Sequence, residues 1–205
     1  MFVEINPYNI DQRLIQQAVD ELKSGKIIIF PTDTVYALGC DLMNKKGLQE
    51  LAKLKGAKLN KVNFSIICSD LSNLSDYTRQ INRPTFKLLK QYLPGPYTFI
   101  LPASNEVSKI FDSNKKEIGI RIPDNPISIE LVKSLGNPIA TASLHNDDDE
   151  ILEYFADPYS IYEKFDDLVP FIIDGGYGHL QGSTVINCVE DEPFIVREGL
   201  GKINI

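Results

Sequence analysis

The run IIIF at residues 27–30 is apolar at every position and halts at Pro31. A strand with no polar face must be covered on both sides, so this one belongs inside a sheet flanked by helices. It continues into PTDTVYALGCD, where Thr32, Asp33, Thr34 and Tyr36 bring three hydroxyls and a carboxyl group ahead of Gly39. A plain hairpin turn needs only two polar residues and a glycine. The stretch therefore reads as a strand edge used as a binding rim, with Gly39 as the turn residue.

Other short apolar runs repeat the strand signal: FSIIC at 64–68, YTFIL at 97–101, GIRI at 119–122, PIATA at 138–142, PFIID at 170–174, STVINC at 183–188 and PFIVRE at 193–198. Amphipathic helices lie between some of them. In DQRLIQQAVDELKSG, Leu14, Ile15, Ala18 and Leu22 share a face, Asp11 can cap the start and Gly25 can close the end. Asn44 and Asn82 are placed to cap helices carrying Leu48, Leu51 and Leu54, and RPTFKLLKQYL; PISIELVKSLG is a further helix. Strands and helices mix without strict alternation. That predicts an α/β fold, a twisted mixed sheet flanked by helices, as one domain over 1–205.

At 205 residues the chain can bury a core without a disulfide or structural metal. Cys40, Cys68 and Cys188 are odd in number and sit in apolar surroundings, as reduced buried thiols of a cytoplasmic protein do. No signal peptide or membrane-spanning run is expected. The net charge of −7 opposes a protein built mainly to grip nucleic acid. Charge is nonetheless segregated: residues 45–61 hold six lysines and one glutamate, whereas DDDEILE at 147–153 is acidic. A basic patch on an acidic chain suits a small anionic ligand, or is simply a solvated helix face.

No Walker loop, GxGxxG, HExxH, CxxC or GxSxG motif is present, and the two histidines, His145 and His179, lack neighbours at ligand spacing. No protein-held metal is expected. What remains is a set of hydroxyls and cations at the ends of the expected strands: Thr32, Thr34, Lys55, Arg121, Thr141, Ser143, Ser183, Thr184 and Arg197. Singly, each is ordinary for a strand end or a surface. Together they match the chemistry that holds phosphate and carboxylate, and open α/β sheets collect ligands where strands end.

PTDTVYALGCD, a Lys-Gly pair before a basic loop and NFSIIC, then LPGPYTFIL, GIRIPDNP, ATAS, STVINC and VREGLG follow in order over nearly the whole chain. This series resembles the YrdC-like proteins, which include the threonylcarbamoyl-AMP synthases, and with NFS and DGG it looks closest to the YciO-like branch. The resemblance implies a basic concave cavity that would take ATP with magnesium, L-threonine and bicarbonate, and would form threonylcarbamoyl-AMP for tRNA modification. By the same resemblance, Lys55 and Arg121 would be catalytic, and Lys58, Lys61, Ser143, Ser183, Thr184 and Arg197 would meet the nucleotide. Thr32, Thr34 and Tyr36 would meet substrate. Where the synthases show Lys-x-Arg, this chain has Lys55, Gly56 and Ala57; where they show Ser-x-Ser-Ala-Asn, it has Thr141, Ala142, Ser143, Leu144 and His145; a histidine of the following strand is Ile67. These departures imply altered threonine handling. They leave open a YciO-like RNA- or nucleotide-binding protein, double-stranded RNA included, with weak or no synthase activity, and tRNA-modification proteins as partners.

Overall fold

The computed structural model describes residues 1–144, 155–190 and 192–205. His145 and the acidic segment 147–153 lie outside them. Ten strands form one mixed sheet in the order β1-β8-β2-β3-β7-β4-β6-β5-β9-β10. These are β1 (Phe2–Glu4), β2 (Ile28–Phe30), β3 (Ala37–Asp41), β4 (Ser65–Ile67), β5 (Tyr97–Pro102), β6 (Glu117–Arg121), β7 (Ile139–Ser143), β8 (Phe171–Asp174), β9 (Thr184–Asn187) and β10 (Phe194–Arg197). Parallel pairs (β1 with β8, β2 with β8, β4 with β6, β5 with β9) are mixed with antiparallel ones. The predicted mixed α/β sheet is the one observed.

Side-chain polar groups start the helices. α1 (Gln12–Lys23) begins at Asp11, whose carboxylate accepts the Arg13 N–H. Asn44, Asn82 and Asn125 do the same for α2 (Lys45–Leu54), α4 (Arg83–Tyr92) and α6 (Pro126–Leu135). Each satisfies an amide that the first turn leaves without an intrahelical acceptor. Three further helices, α3 (Leu74–Tyr77), α5 (Asn105–Ile110) and α7 (Pro158–Phe165), were not foreseen. No described helix is long and apolar enough to cross a membrane. The three cysteines are buried free thiols.

One expectation needs correction. Gly39 does not turn the chain; it lies inside β3, which returns antiparallel to β2 with Gly39 opposite Ile28. A Cβ there would come within 2.6 Å of Ile139 Cγ2 and 2.7 Å of Phe30 Cε1, so glycine is required by close approach rather than by a turn. The turn is made by residues 31–36. The polar rim is thus a hairpin connection, held by its own hydroxyls.

Alternation along the strands sorts the core into two layers. Ile29, Leu38, Cys40, Ile66, Phe99, Ile120, Ala140 and Ile172 belong to one cluster, together with Leu48 and Leu51 of α2 and Leu89 of α4. Ile28, Phe30, Ala37, Ile67, Ile139, Phe171 and Ile173 belong to the other, against Ile15, Val19 and Leu22 of α1 and Ile127 and Leu131 of α6. The buried run IIIF does feed both layers. The layer with α1 and α6 extends as far as Ile139 of β7 and Ile67 of β4, leaving the rest of that face open from β7 to β9.

Candidate functional site

The open part of this face is the floor of a cavity of about 590 Å³, within the range of small-molecule sites. The period of two brings every second residue of each strand to the floor. They are Ser65 of β4, Thr98 and Ile100 of β5, Glu117, Gly119 and Arg121 of β6, Thr141 and Ser143 of β7, and Val185 of β9. At the centre, a Cβ on Gly119 would fall 2.6 Å from Ser65 Oγ, so glycine keeps the floor flat. Among the described residues, four cations, Lys55, Lys115, Arg121 and Arg197, and one acid, Glu117, line the space. The expectation of ligands at strand ends is therefore revised, since the cavity rests on the sheet's face.

Arg121 is the most constrained of these cations. It is buried at 6% exposure, and its Nη2 donates to Asp33 Oδ1 and to Thr34 Oγ1, each at 2.9 Å. The other carboxylate oxygen of Asp33 accepts the backbone N–H of Asp124 at 3.0 Å. Burial pulls the arginine's pKa down and Asp33 pushes back. Its Nε is buried without any partner, a cost that a ligand oxygen would remove.

Thr32 and Thr34 stand behind this arginine and do not line the cavity. Thr32 Oγ1 donates to the Val35 carbonyl at 2.7 Å and accepts the Thr34 N–H at 3.0 Å. Its one proton being spent, the 3.1 Å contact between the two hydroxyls takes its proton from Thr34. Thr34 in turn accepts from Arg121. Both hydroxyls, expected to meet substrate, are thus engaged in internal hydrogen bonds behind Arg121. Tyr36 is buried and is among the residues lining the cavity. Its hydroxyl donates to the Gly176 carbonyl at 2.7 Å and accepts the Gly175 N–H at 3.1 Å, and burial raises its pKa.

Lys55 caps α2 at its C-terminus, followed by Gly56 at φ +64°. A left-handed residue after a helix favours glycine, so the Lys-Gly pair is a helix stop that delivers Lys55 to the cavity. Lys58 and Lys61 are exposed and outside its lining; the lysine cluster expected to act together is split. On the far wall, Ser183 Oγ and Thr98 Oγ1 are 2.7 Å apart, and Arg197 Nη2 donates to the Ser183 carbonyl at 2.9 Å. Thr184 does not line the cavity. Its hydroxyl donates to the Gly201 carbonyl and accepts the Gly199 N–H at 3.0 Å, fixing the C-terminal turn.

Reading the chain as a string missed Asp33 as the partner of Arg121, along with Thr98 and Lys115. The pattern DSNKKEIGI carries a signal for Lys115 only in hindsight, as a lysine two residues before Glu117 on a strand whose alternate residues face the floor. Among the described residues there is no cluster of three His, Cys, Asp or Glu that could hold a metal ion.

Comparison with known proteins supplies the lineage. A Haemophilus influenzae "Uncharacterized protein" is 40% identical over 202 residues, covering 98% of this chain and 96% of the relative. "Uncharacterized protein YciO" of Escherichia coli is 38% identical over 203 residues, and its crystal structure superimposes with a TM-score of 0.88 over 98% of this chain and 97% of that one. The crystal structure of Pyrococcus abyssi Sua5 complexed with L-threonine matches with a TM-score of 0.87 at 26% identity, over 97% of this chain and 57% of that one. The P. abyssi threonylcarbamoyl-AMP synthase is 27% identical, and this chain spans 55% of its length. The family model Sua5/YciO/YrdC, described as "Telomere recombination", matches residues 20–199. With that model matching most of its length and a relative 40% identical over nearly all of it, the chain belongs to the Sua5/YciO/YrdC family.

Proposed function

We propose that the cavity binds ATP, entering with its magnesium, and forms threonylcarbamoyl-AMP or a related carbamoyl adenylate from L-threonine and bicarbonate. The observation that carries this reading is Arg121, buried, locked by Asp33 and Thr34, and left with an unpartnered Nε in a cavity that also holds Lys55, Lys115 and Arg197. The amine of threonine combines with bicarbonate to a carbamate, with loss of water. A carbamate oxygen attacks the α-phosphorus, and the bond to pyrophosphate breaks as that group leaves. Two anions must be held together while negative charge moves to the leaving group, which calls for fixed cations and donors rather than a covalent nucleophile.

In this reading Arg121 and Lys55 are catalytic, Arg121 holding the carboxylate or carbamate and Lys55 the phosphates. Ser143, Ser183, Thr98 and Arg197 receive the nucleotide, and Tyr36 shapes the wall. Magnesium is held mainly by phosphate oxygens and water. The synthase names of the distant relatives support the chemistry, and the threonine complex of the P. abyssi protein supports the amino acid.

The test is pyrophosphate release with product analysis in ATP, magnesium and bicarbonate, with and without threonine, and with Lys55→Ala as control. Threonine-dependent release with an adenylate product is expected. ATP binding without turnover would instead favour the second reading, a YciO-like protein that binds nucleotide or RNA. That reading draws on the exposed Lys58 and Lys61 outside the cavity and on Ala57 standing where a guanidinium would be. It requires RNA binding that weakens steeply with salt.

A further inference from the structure

Lys115 precedes β6 and lines the cavity, yet nothing in the sequence pattern singled it out. Its ammonium donates to the Val62 carbonyl and to Asn63 Oδ1 at 3.3 Å, both on the loop leading from Lys55 to β4. It also sits 4.7 Å from the centre of the Phe111 ring. An ammonium has three N–H donors, and these two acceptors use two of them. Among the described residues, the remaining charged groups that line the cavity are Lys55, Arg121, Arg197 and Glu117. Among the described residues no ion pair joins Lys115 to a carboxylate, the one buried ion pair of the cavity being taken by Arg121 and Asp33. Half-buried beside carbonyls and a ring, Lys115 has no carboxylate counter-ion among the described residues.

We propose that Lys115 is a phosphate-binding residue of this cavity, meeting the polyphosphate of the nucleotide together with Lys55. The inference rests on the nucleotide reading above and adds a residue from a different part of the chain, one that also ties the Lys55 loop to the sheet. Lys58 and Lys61, though closer to Lys55 in sequence, point away from the job by their exposure outside the lining. An arriving phosphate supplies the missing negative charge and takes the third N–H.

The arrangement has a measurable consequence in protons. Burial pulls the Lys115 ammonium down to about 8, from an ordinary value of about 10.4. A bound phosphate favours the charged form and raises it again. Affinity is therefore full below pH 8 and falls as pH rises above it, by up to about tenfold per pH unit until the pKa of the complex is reached. Nucleotide phosphates are already ionised in that range.

The experiment is calorimetric titration of the whole chain with magnesium-ATP, and separately with pyrophosphate, in two buffers of different ionisation enthalpy at pH 8. Wild type is expected to take up about half a proton per ATP, as a group near its pKa becomes fully charged on binding. In Lys115→Arg, always charged, the uptake disappears and binding persists with a flat profile from pH 7.5 to 9.5. In Lys115→Met, affinity at pH 7.5 falls at least about tenfold. Equal proton uptake in wild type and Lys115→Arg, with wild-type affinity in Lys115→Met, overturns the assignment while ATP binding keeps the nucleotide reading alive. Pyrophosphate binding with a Lys115-dependent uptake, but no ATP binding, removes the nucleotide reading and keeps Lys115 as an anion site. Binding of neither ligand overturns both.

Discussion

The two halves of one sheet face differ in what the same alternation delivers. Over β8 and β2, every second residue is Phe171, Ile173, Ile28 or Phe30, and α1 and α6 pack against them in one buried layer. Over β4, β6, β5 and β7, every second residue is Ser65, Gly119, Arg121, Thr98 or Thr141, and no helix of that layer reaches them. Strand geometry is the same on both sides. What changes is the residue chosen at alternate positions, and with it whether burial yields stability or leaves donors free to meet a ligand. The expectation is a division of labour: substitutions on the covered half alter stability, those on the open half alter binding.

The sharpest challenge to that division is Asp33→Ala, because its carboxylate, 8% exposed, reaches from the β2–β3 connection to Arg121 on the open half. Removing one partner of a buried pair leaves Arg121 uncompensated, at a cost of about 3–5 kcal/mol. Urea unfolding is expected to show that loss together with failure to bind substrate; a stability within about 0.5 kcal/mol of wild type would mean that the pair is not what holds Arg121. Next in size is Leu131→Ala on the covered half. Its fully buried side chain packs on the layer shared with α1, so a loss of about 2–5 kcal/mol is expected with ATP affinity unchanged under folding conditions. Changed affinity in that variant would show that the halves communicate.

Lys55→Ala probes the opposite limit. Turnover is expected to vanish while the denaturation midpoint barely moves, a change within about 0.5 kcal/mol, because a side chain at a helix end contributes little to packing. Full activity would remove Lys55 from the mechanism. Smallest of all is the paired change Lys58→Ala with Lys61→Ala, for which pyrophosphate release is expected to stay within about twofold of wild type. A large loss would extend the site beyond the cavity lining. In the same double variant, a reduced salt slope of RNA binding would locate the RNA-facing surface.

Much of the fold was legible along the chain. Asp11, Asn44 and Asn82 announced their helices because a cap is a contact over two or three residues, and all three carry the expected hydrogen bonds. The eight apolar runs became strands for a similar reason, their alternation being a property of five residues or so. β3 escaped because ALGCD, buried on both faces and interrupted by Gly39, has neither a polar alternation nor a long aliphatic run. Its glycine was read as a turn residue, whereas the crowding that demands it comes from Ile139, a hundred residues on. Short helices such as α3 and α5 have too few turns to show a periodic face.

The site was legible in composition and illegible in arrangement. Hydroxyls and cations of the right kind could be named, and most of them do line one cavity. Thr32 and Thr34 could not be told from ligand-binding residues, because the Thr32 proton is spent on Val35 and the Thr34 proton on Thr32 while Arg121 arrives from 87 residues away. Lys58 and Lys61 looked equivalent to Lys55 as charges in a row. A helix that ends at Gly56 separates them.

The amino-acid sequence by itself determined the local elements, the mixed α/β class and the supply of cations and hydroxyls from which the cavity is lined, since capping, alternation and side-chain charge act over a few residues. Which strands stand side by side, how far α1 and α6 extend over the sheet, and hence which cations face the cavity were decided only by tertiary structure. Arg121 meets Asp33 and Lys115 meets Val62 through strand register and loop closure, and those contacts join residues whose separation along the chain leaves no local trace.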